Sequence, residues 1–190
     1  VLSKNNKRAI KDFKKSLKLV ESIDLIAQLA DLENSNNKEA NELIAESKAL
    51  KFINEAKKAQ LEGNDNEALK YALEATNVAP DFIKARIYLA SLQSNLGYLN
   101  DAIIKLSALF KEYRSSTEVL YALIDVYTES YKFKEVKRLL KIARTISEEG
   151  DARYFSATAK YFKFKGDFNK TAGWLKKAIK SNPLDDTNVY

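Results

Sequence analysis

Small and apolar residues recur along most of this chain at fixed distances from isolated turn residues. In "EGNDNEALKYALEATNVAP", residues 62–80, Gly63 is followed by Ala68, Ala75 and Pro80. The same offsets recur at Gly97, Ala102, Leu109 and Arg114, and again at Tyr131, Val136, Ala143 and Glu148, each set 34 residues beyond the one before. A last set, Gly166, Thr171, Ala178 and Pro183, lies 35 residues on, and the extra residue is expected in "ISEEGDA", around Gly150. Upstream of each turn residue stands a stretch with helical apolar spacing: "ALKFINEAKKAQLE", "IKARIYLASLQSNL", "TEVLYALIDVYTES" and "ARYFSATAKYFKFK". The pattern predicts helices ended by glycine, restarted by a polar cap (Asp65 or Asn66 in the first unit) and closed by proline.

Two antiparallel helices of about 13 residues with two tight turns use up about 34 residues, and one such hairpin cannot bury both apolar faces alone. Stacking of hairpins is the economical solution. Ala90, Ala102, Ala159 and Ala178 would let helix axes approach closely, while Leu89, Leu106, Leu123, Leu140 and Leu175 would fill the space between hairpins. The predicted units are residues 49–82, 83–116, 117–151 and 152–185 in one continuous solenoid. Residues 1–48 read as N-terminal helices, a partial and a divergent repeat: "RAIKDFKKSLKLV" matches the offsets of a second repeat helix, "SIDLIAQLADLE" reads as a helix and "NSNN" as a turn. Residues 38–62 lack Gly and Pro until the turn, so they form either one long helix or two that bend near Ser47.

The units "GNDNEAL...A..A..P" and "GDFNKTAGWLKKAIKSNP" resemble the tetratricopeptide repeat, with Gly-Asp in or near the inner turn, Ala soon after and Pro at the end. Departures are Tyr131 in place of the turn glycine, Arg114 and Glu148 in place of the closing proline, and Phe52 and Leu120 where the first helix would carry Trp or Tyr. The resemblance implies an all-α, right-handed α-α superhelix of about four full repeats whose first helices line a concave groove for a peptide or helix. "EALKYALEATNVAPDFIKARIYLASLQSNLGYLNDAI" and "GDARYFSATAKYFKFKGDFNKTAGWLKKAI" are further similar to the C-terminal repeat region of bacterial HemY-type proteins. That similarity would imply an inner-membrane-anchored scaffold linked to late haem synthesis.

On the tetratricopeptide pattern the groove positions are Ile53 and Lys57; Ile87, Tyr88 and Ser91; Tyr121, Asp125 and Thr128; and Ser156, Lys160 and Lys163. Tyr88 and Tyr121 are candidate anchors, because rigid aromatics often dominate binding energy; packing between neighbouring hairpins is the equal alternative. Co-chaperone members hold a carboxylate with Lys, Asn and Arg at fixed positions, but this chain has Ile53, Lys57, Tyr88, Glu118 and Ala122 there, so that clamp is absent. Trp174 and Leu175 stand on the last repeat helix as a terminal contact face. The array would continue beyond them, self-associate through that end, or use it for contact.

Composition narrows the chemistry. The 190 residues include no His and no Cys, which removes the imidazole base, the thiolate nucleophile and the common zinc and haem ligands. The five glycines are isolated and form no phosphate-binding loop. Glu148-Glu149 and Asp185-Asp186 fall in predicted turns, where capping outweighs acid–base work. The chain therefore reads as a non-enzymatic binder of a protein or peptide, with no cofactor and no metal.

Charge is uneven within a formal net of +6: residues 1–18 hold seven Lys or Arg against Asp12, and residues 160–180 hold seven Lys against Asp167. Lys7, Lys11, Lys14, Lys15 and Lys18 flank an apolar stripe of Ile10, Phe13, Leu17 and Val20, read as a solvated helix face before a juxtamembrane one. Nucleic-acid binding through the basic ends, with stacking on Tyr161, Phe162 and Phe164, is disfavoured because the same spacing fits repeat core. No stretch approaches the roughly 20 apolar residues of a membrane span. Val1 and the lack of any Met suggest a processed sequence, so a membrane anchor would lie outside this chain. The cytoplasm or the cytoplasmic face of a membrane is the favoured location.

Overall fold

A computed structural model describes residues 38–146 and 150–182, and these form eight helices and no strand. They are α1 (Lys38–Leu61), α2 (Asp65–Val78), α3 (Ile83–Asn95), α4 (Leu99–Glu112), α5 (Thr117–Glu129), α6 (Phe133–Ile146), α7 (Ala152–Phe164) and α8 (Phe168–Ser181). The expected N-terminal helices before residue 38, the basic stripe, Glu148-Glu149, Pro183 and Asp185-Asp186 lie outside the described residues. Helices α1–α2, α5–α6 and α7–α8 pack as pairs across short turns, and α3 and α4 follow one another across a turn of the same kind, an all-α repeat solenoid. None of them is long and apolar enough to cross a membrane.

The turn inside each pair shows why the period is legible. Gly63, Gly97, Tyr131 and Gly166 all take left-handed backbone, with φ of +75°, +88°, +56° and +77°. At each, the turn residue's N–H donates to the carbonyl three residues back and the next N–H to the carbonyl five before it, as in Gly63 to Gln60 and Asn64 to Ala59. This is the Schellman arrangement, which satisfies otherwise orphaned carbonyls at a helix end and favours glycine at the left-handed position. Tyr131 obeys the same geometry although it carries a Cβ.

The turns between pairs also repeat: Phe82 N–H donates to Ala79 O, and Ser116 N–H to Tyr113 O. The α2–α3 and α4–α5 connections have four residues, 79–82 and 113–116, whereas α6–α7 has five, 147–151, which places the extra residue where it was expected. The cap of α2 is Asn64, not Asp65 or Asn66: its Oδ1 accepts from the Glu67 N–H and its Nδ2 donates to Glu67 Oε2. The residue directly after the left-handed turn already has the half-helical position a cap needs.

Residues 38–61 form one continuous helix, so the expected break between residues 48 and 49 falls inside α1, where Ser47 and Ala49 are buried. The chain divides into two compact units, one ending at Leu92 and one beginning at Gln93. In the first unit α1 packs on α2, and Ala49, Ile53, Ala75, Ala79 and Ala85 form a core cluster. In the second, α5 packs against α4, α6 and α7, which covers it nearly all round: Val119, Leu120, Leu123, Ile124, Val126 and Thr128 are all buried. Such a helix loses the polar face of a surface helix. The alanines expected at close approaches, Ala90, Ala102, Ala159 and Ala178, are buried, as are Leu89, Leu106, Leu123 and Leu140. Leu175 is only half-buried, so it does not fill a gap between hairpins as those leucines do.

Candidate functional site

The groove candidates fall in two groups, one in each unit. In the first unit, Ile53 is 5% exposed and belongs to the core cluster, so it cannot face a ligand. Its place one turn from Ala49, above α2, fixes it inward. Lys57 is exposed, and Ile87 and Ser91 are half-buried. Tyr88 packs against the core cluster and its hydroxyl donates to Gln60 Oε1 at 2.7 Å, linking α3 to α1. Burial pushes its phenol above the ordinary value.

In the second unit, Tyr121, Asp125, Ser156, Lys160 and Lys163 converge on one pocket of about 430 Å³ between α5, α7 and α8. Leu175, expected on a terminal contact face, lines the same pocket together with Phe164, Ala157 and Thr171. Thr128 does not join them. It is fully buried, and its hydroxyl donates to Ile124 O at 2.7 Å, because α7 covers that side of α5. Tyr121 is 9% exposed: Asp151 accepts from its hydroxyl at 3.1 Å and the Arg153 guanidinium lies 5.5 Å from its ring centre. Both expected anchors thus pack between neighbouring helices, and Tyr121 gives the pocket a fixed wall.

Asp151 is the N-cap of α7 and accepts from the Arg153 N–H at 2.9 Å, so one carboxylate holds both the start of α7 and the Tyr121 wall. Deeper in, Lys160 Nζ sits 3.0 Å from Asp125 Oδ1 and 2.9 Å from Glu129 Oε1. Asp125 and Glu129 are four residues apart, on one face of α5. Burial raises the Asp125 carboxyl above its ordinary value although Lys160 pulls it down. Burial also works against the Lys160 ammonium, but Asp125 and Glu129 more than compensate and its pKa is raised. Lys160 is therefore a cross-brace of the pocket floor. Lys163 is exposed at the edge and pairs with no described carboxylate.

Glu129 and Arg153 escaped the sequence reading, and Phe164 and Thr171 entered it only as a stacking candidate and a repeat position, not as lining of a pocket. Glu129 could have been found from its i, i+4 spacing to Asp125; the others depend on how α7 and α8 meet. Trp174 stands outside the pocket, in edge contact with Tyr154 at 6.0 Å and tilted on Phe155 at 5.8 Å, with Lys177 Nζ 4.1 Å from its ring centre. The aromatic residues near the inner turns pack on one another: Tyr131 lies 5.6 Å from Phe164 and 5.9 Å from Phe133, and Phe133 lies 5.8 Å from Tyr161. Phe164 carries that chain of rings into the pocket wall. No cluster of metal-ligating side chains occurs among the described residues.

This helical-repeat arrangement is similar to known structures. The chain is similar to MamA residues 41-end from Desulfovibrio magneticus RS-1, at 18% identity and a TM-score of 0.52 over 74% of this chain and 79% of that one. It is similar to YrrB, a TPR protein with an unusual peptide-binding site, at 16% identity and a TM-score of 0.53 over 93% of this chain and 95% of YrrB. The fold is the tetratricopeptide-repeat fold. PilF of Pseudomonas aeruginosa is a further structural neighbour, at 15% identity and a TM-score of 0.50 over 97% of this chain and 88% of PilF. No family model and no curated protein matches the chain. The similarity to HemY-type proteins, and with it the link to haem synthesis and a membrane anchor, has no support from these comparisons.

Proposed function

We propose that this chain is a non-catalytic module that binds a polypeptide segment of a partner protein in the pocket between α5, α7 and α8. The observation that carries this reading is the convergence there of five positions picked out by the repeat, Tyr121, Asp125, Ser156, Lys160 and Lys163. Apolar walls from Tyr121, Phe164 and Leu175 with a few fixed polar groups are what a polypeptide site needs: area for burial and charge for orientation. Asp125 and Glu129 both pair with Lys160, so the three groups hold one another in place and serve shape more than proton transfer. The peptide-binding site of YrrB, on the same fold, agrees with this use of a repeat surface.

The test is site-specific photo-crosslinking in cells. A photoreactive residue in place of Ser156 should capture a distinct protein partner that the same residue at the exposed Lys141 does not. Ala157→Arg, which fills the pocket, should abolish the capture. An identical set of products from both positions would refute the reading.

A further inference from the structure

The residue three before each inner turn residue is Gln60, Ser94, Thr128 and Lys163 in successive repeats. The first two meet the first helix of the following pair. Gln60 accepts from Tyr88 on α3, and Ser94 Oγ donates to Glu129 Oε2 on α5 at 2.6 Å. Ser94 is 5% exposed, and Thr128 is fully buried with its hydroxyl donating to Ile124 O. Tyr88 and Glu129 lie nine and two residues before their own turn residues, Gly97 and Tyr131. Those positions differ by seven, two turns along one helix face. In two of the three, Gln60 and Ser94, the polar residue at the third place before the turn thus reaches a polar group on one face of the next first helix, whereas the Thr128 hydroxyl turns back to its own helix.

At the last described repeat this place holds a lysine, and among the described residues no helix follows α8. Leu175, the repeat equivalent of the buried Leu106 and Leu140, stays half-exposed beside it. Two of the three pocket cations already have carboxylates: Lys160 has Asp125 and Glu129, and Arg153 has Asp151 at 4.0 Å. Lys163 is the cation left to pair.

We propose that the partner segment is an amphipathic α-helix that lies along α7 and α8 as a following first helix would. It places small or apolar residues against Ala159 and Leu175 and a carboxylate against Lys163, at the place Glu129 holds relative to Ser94. This rests on the pocket being the binding site and specifies the form and charge of what enters it. A helix suits the face because α5, the first helix of the preceding pair, is itself covered by α7. A carboxylate suits it because the Glu129 carboxylate already serves Ser94 at that place, and opposite an ammonium the same group forms an ion pair as well as a hydrogen bond.

The experiment titrates the full chain with a labelled synthetic peptide of residues 116–130, "STEVLYALIDVYTES", which carries Glu129 at the required place. Fluorescence anisotropy should show saturable binding. Lys163→Glu should weaken it about tenfold or more, as expected for loss of one charge-assisted bond. Glu129→Lys in the peptide should restore affinity toward Lys163→Glu, and Leu175→Asp should abolish binding to the otherwise native chain. Absence of binding, or binding indifferent to Lys163→Glu, overturns the helix assignment. If Ser156 crosslinking to a partner nevertheless persists and remains sensitive to Ala157→Arg, the pocket reading stands without it. A dimer by sedimentation that Lys163→Glu dissociates would put a second copy on this face and overturn the partner assignment. A segment of residues 183–190 found crosslinked to Lys163 in the monomer would overturn it likewise.

Discussion

Replacing Tyr131 by alanine and by glycine should reverse the usual order of those two residues. In a helix or a strand, glycine is the less stable by roughly 0.5–1 kcal/mol because it loses more backbone freedom on folding. At residue 131 the backbone is left-handed, φ +56°, where a Cβ crowds the following carbonyl at a cost of about 1–2 kcal/mol. The difference leaves Tyr131→Gly more stable than Tyr131→Ala by about 0.5–1 kcal/mol. Wild-type Tyr131 carries the same strain but offsets it with rings on Phe133 and Phe164, at 5.9 and 5.6 Å, each pair contributing about 0.5–1.5 kcal/mol. With the ring 65% exposed, the lower part of that range applies, so Tyr131→Ala should fall about 1–2 kcal/mol below wild type and Tyr131→Gly within about 1 kcal/mol of it. Urea unfolding followed by Trp174 fluorescence and by far-UV circular dichroism measures both, and two probes are needed because repeat arrays depart from two-state behaviour. Gly97→Ala, at φ +88°, is the positive control and should lose about 1 kcal/mol. An alanine variant as stable as the glycine variant would refute the left-handed turn at 131.

Three further outcomes follow from packing, caps and charge. Leu140→Ala should lower stability by about 2–5 kcal/mol in the same urea assay, since Leu140 is buried on α6. Tyr98 stands at the N-cap of α4 without a side-chain cap bond, whereas Asn64, Ser116, Asp151 and Asp167 each provide one; Tyr98→Asp should therefore raise the melting temperature, by about 0.5–1 kcal/mol of added stability. Lys160→Met leaves Asp125 and Glu129 facing each other. Because those carboxylates are 46% and 27% exposed, solvent screening limits the loss to about 1–2 kcal/mol at neutral pH. Burial already raises the Asp125 carboxyl, and losing Lys160 raises it further. An acid raised in the folded state binds its proton more readily folded than unfolded, so its contribution is favourable below the unfolded value and lost as pH rises through the folded one. The Lys160→Met deficit should hence be largest near pH 7 and shrink as pH falls toward about 4. A deficit that grows on acidification would count against the Asp125–Lys160–Glu129 cross-brace.

The period was legible because the inner turn demands an unusual backbone. Gly63, Gly97 and Gly166 mark it directly, and Tyr131 could be placed among them only by counting, since tyrosine is no signal for a left-handed residue. The continuous helix at residues 38–61 was not decided, because sequence without Gly or Pro permits a long helix as well as a bend. The repeat offsets bring candidate positions together where one face of the first helix stays open. Tyr121, Asp125, Ser156, Lys160 and Lys163 meet around one pocket, but Ile53 and Thr128, at equally plausible offsets, are buried. The failure has one cause. The repeat tells which residues share a helix face, and how much of that face the next helix covers depends on side-chain size across the contact. The Lys160 cross-brace was hidden for the same reason: Lys160 and Asp125 occupy equivalent repeat positions 35 residues apart, and only the approach of α5 to α7 brings them within 3.0 Å.

Positions common to all four repeats stabilise stacking; positions where one repeat departs from the others are the ones open to binding. Ala68, Ala102, Val136 and Thr171 follow their turn residues by five, differ in size, and are all buried. A change at Ala68, Ala102 or Val136 alters packing, and only Thr171 in the last repeat also lines the pocket. Gln60, Ser94, Thr128 and Lys163 show the opposite behaviour. Three neutral residues are followed by a cation at the one place in the set where no described helix covers the side chain. A lysine under a neighbouring helix would need a buried carboxylate partner, and removing one member of such a pair costs about 3–5 kcal/mol. At an open face the same lysine remains hydrated and keeps its charge for a ligand. The assignment of an acidic helix to this face therefore rests on the contrast between Lys163 and its three counterparts, which the average repeat would erase.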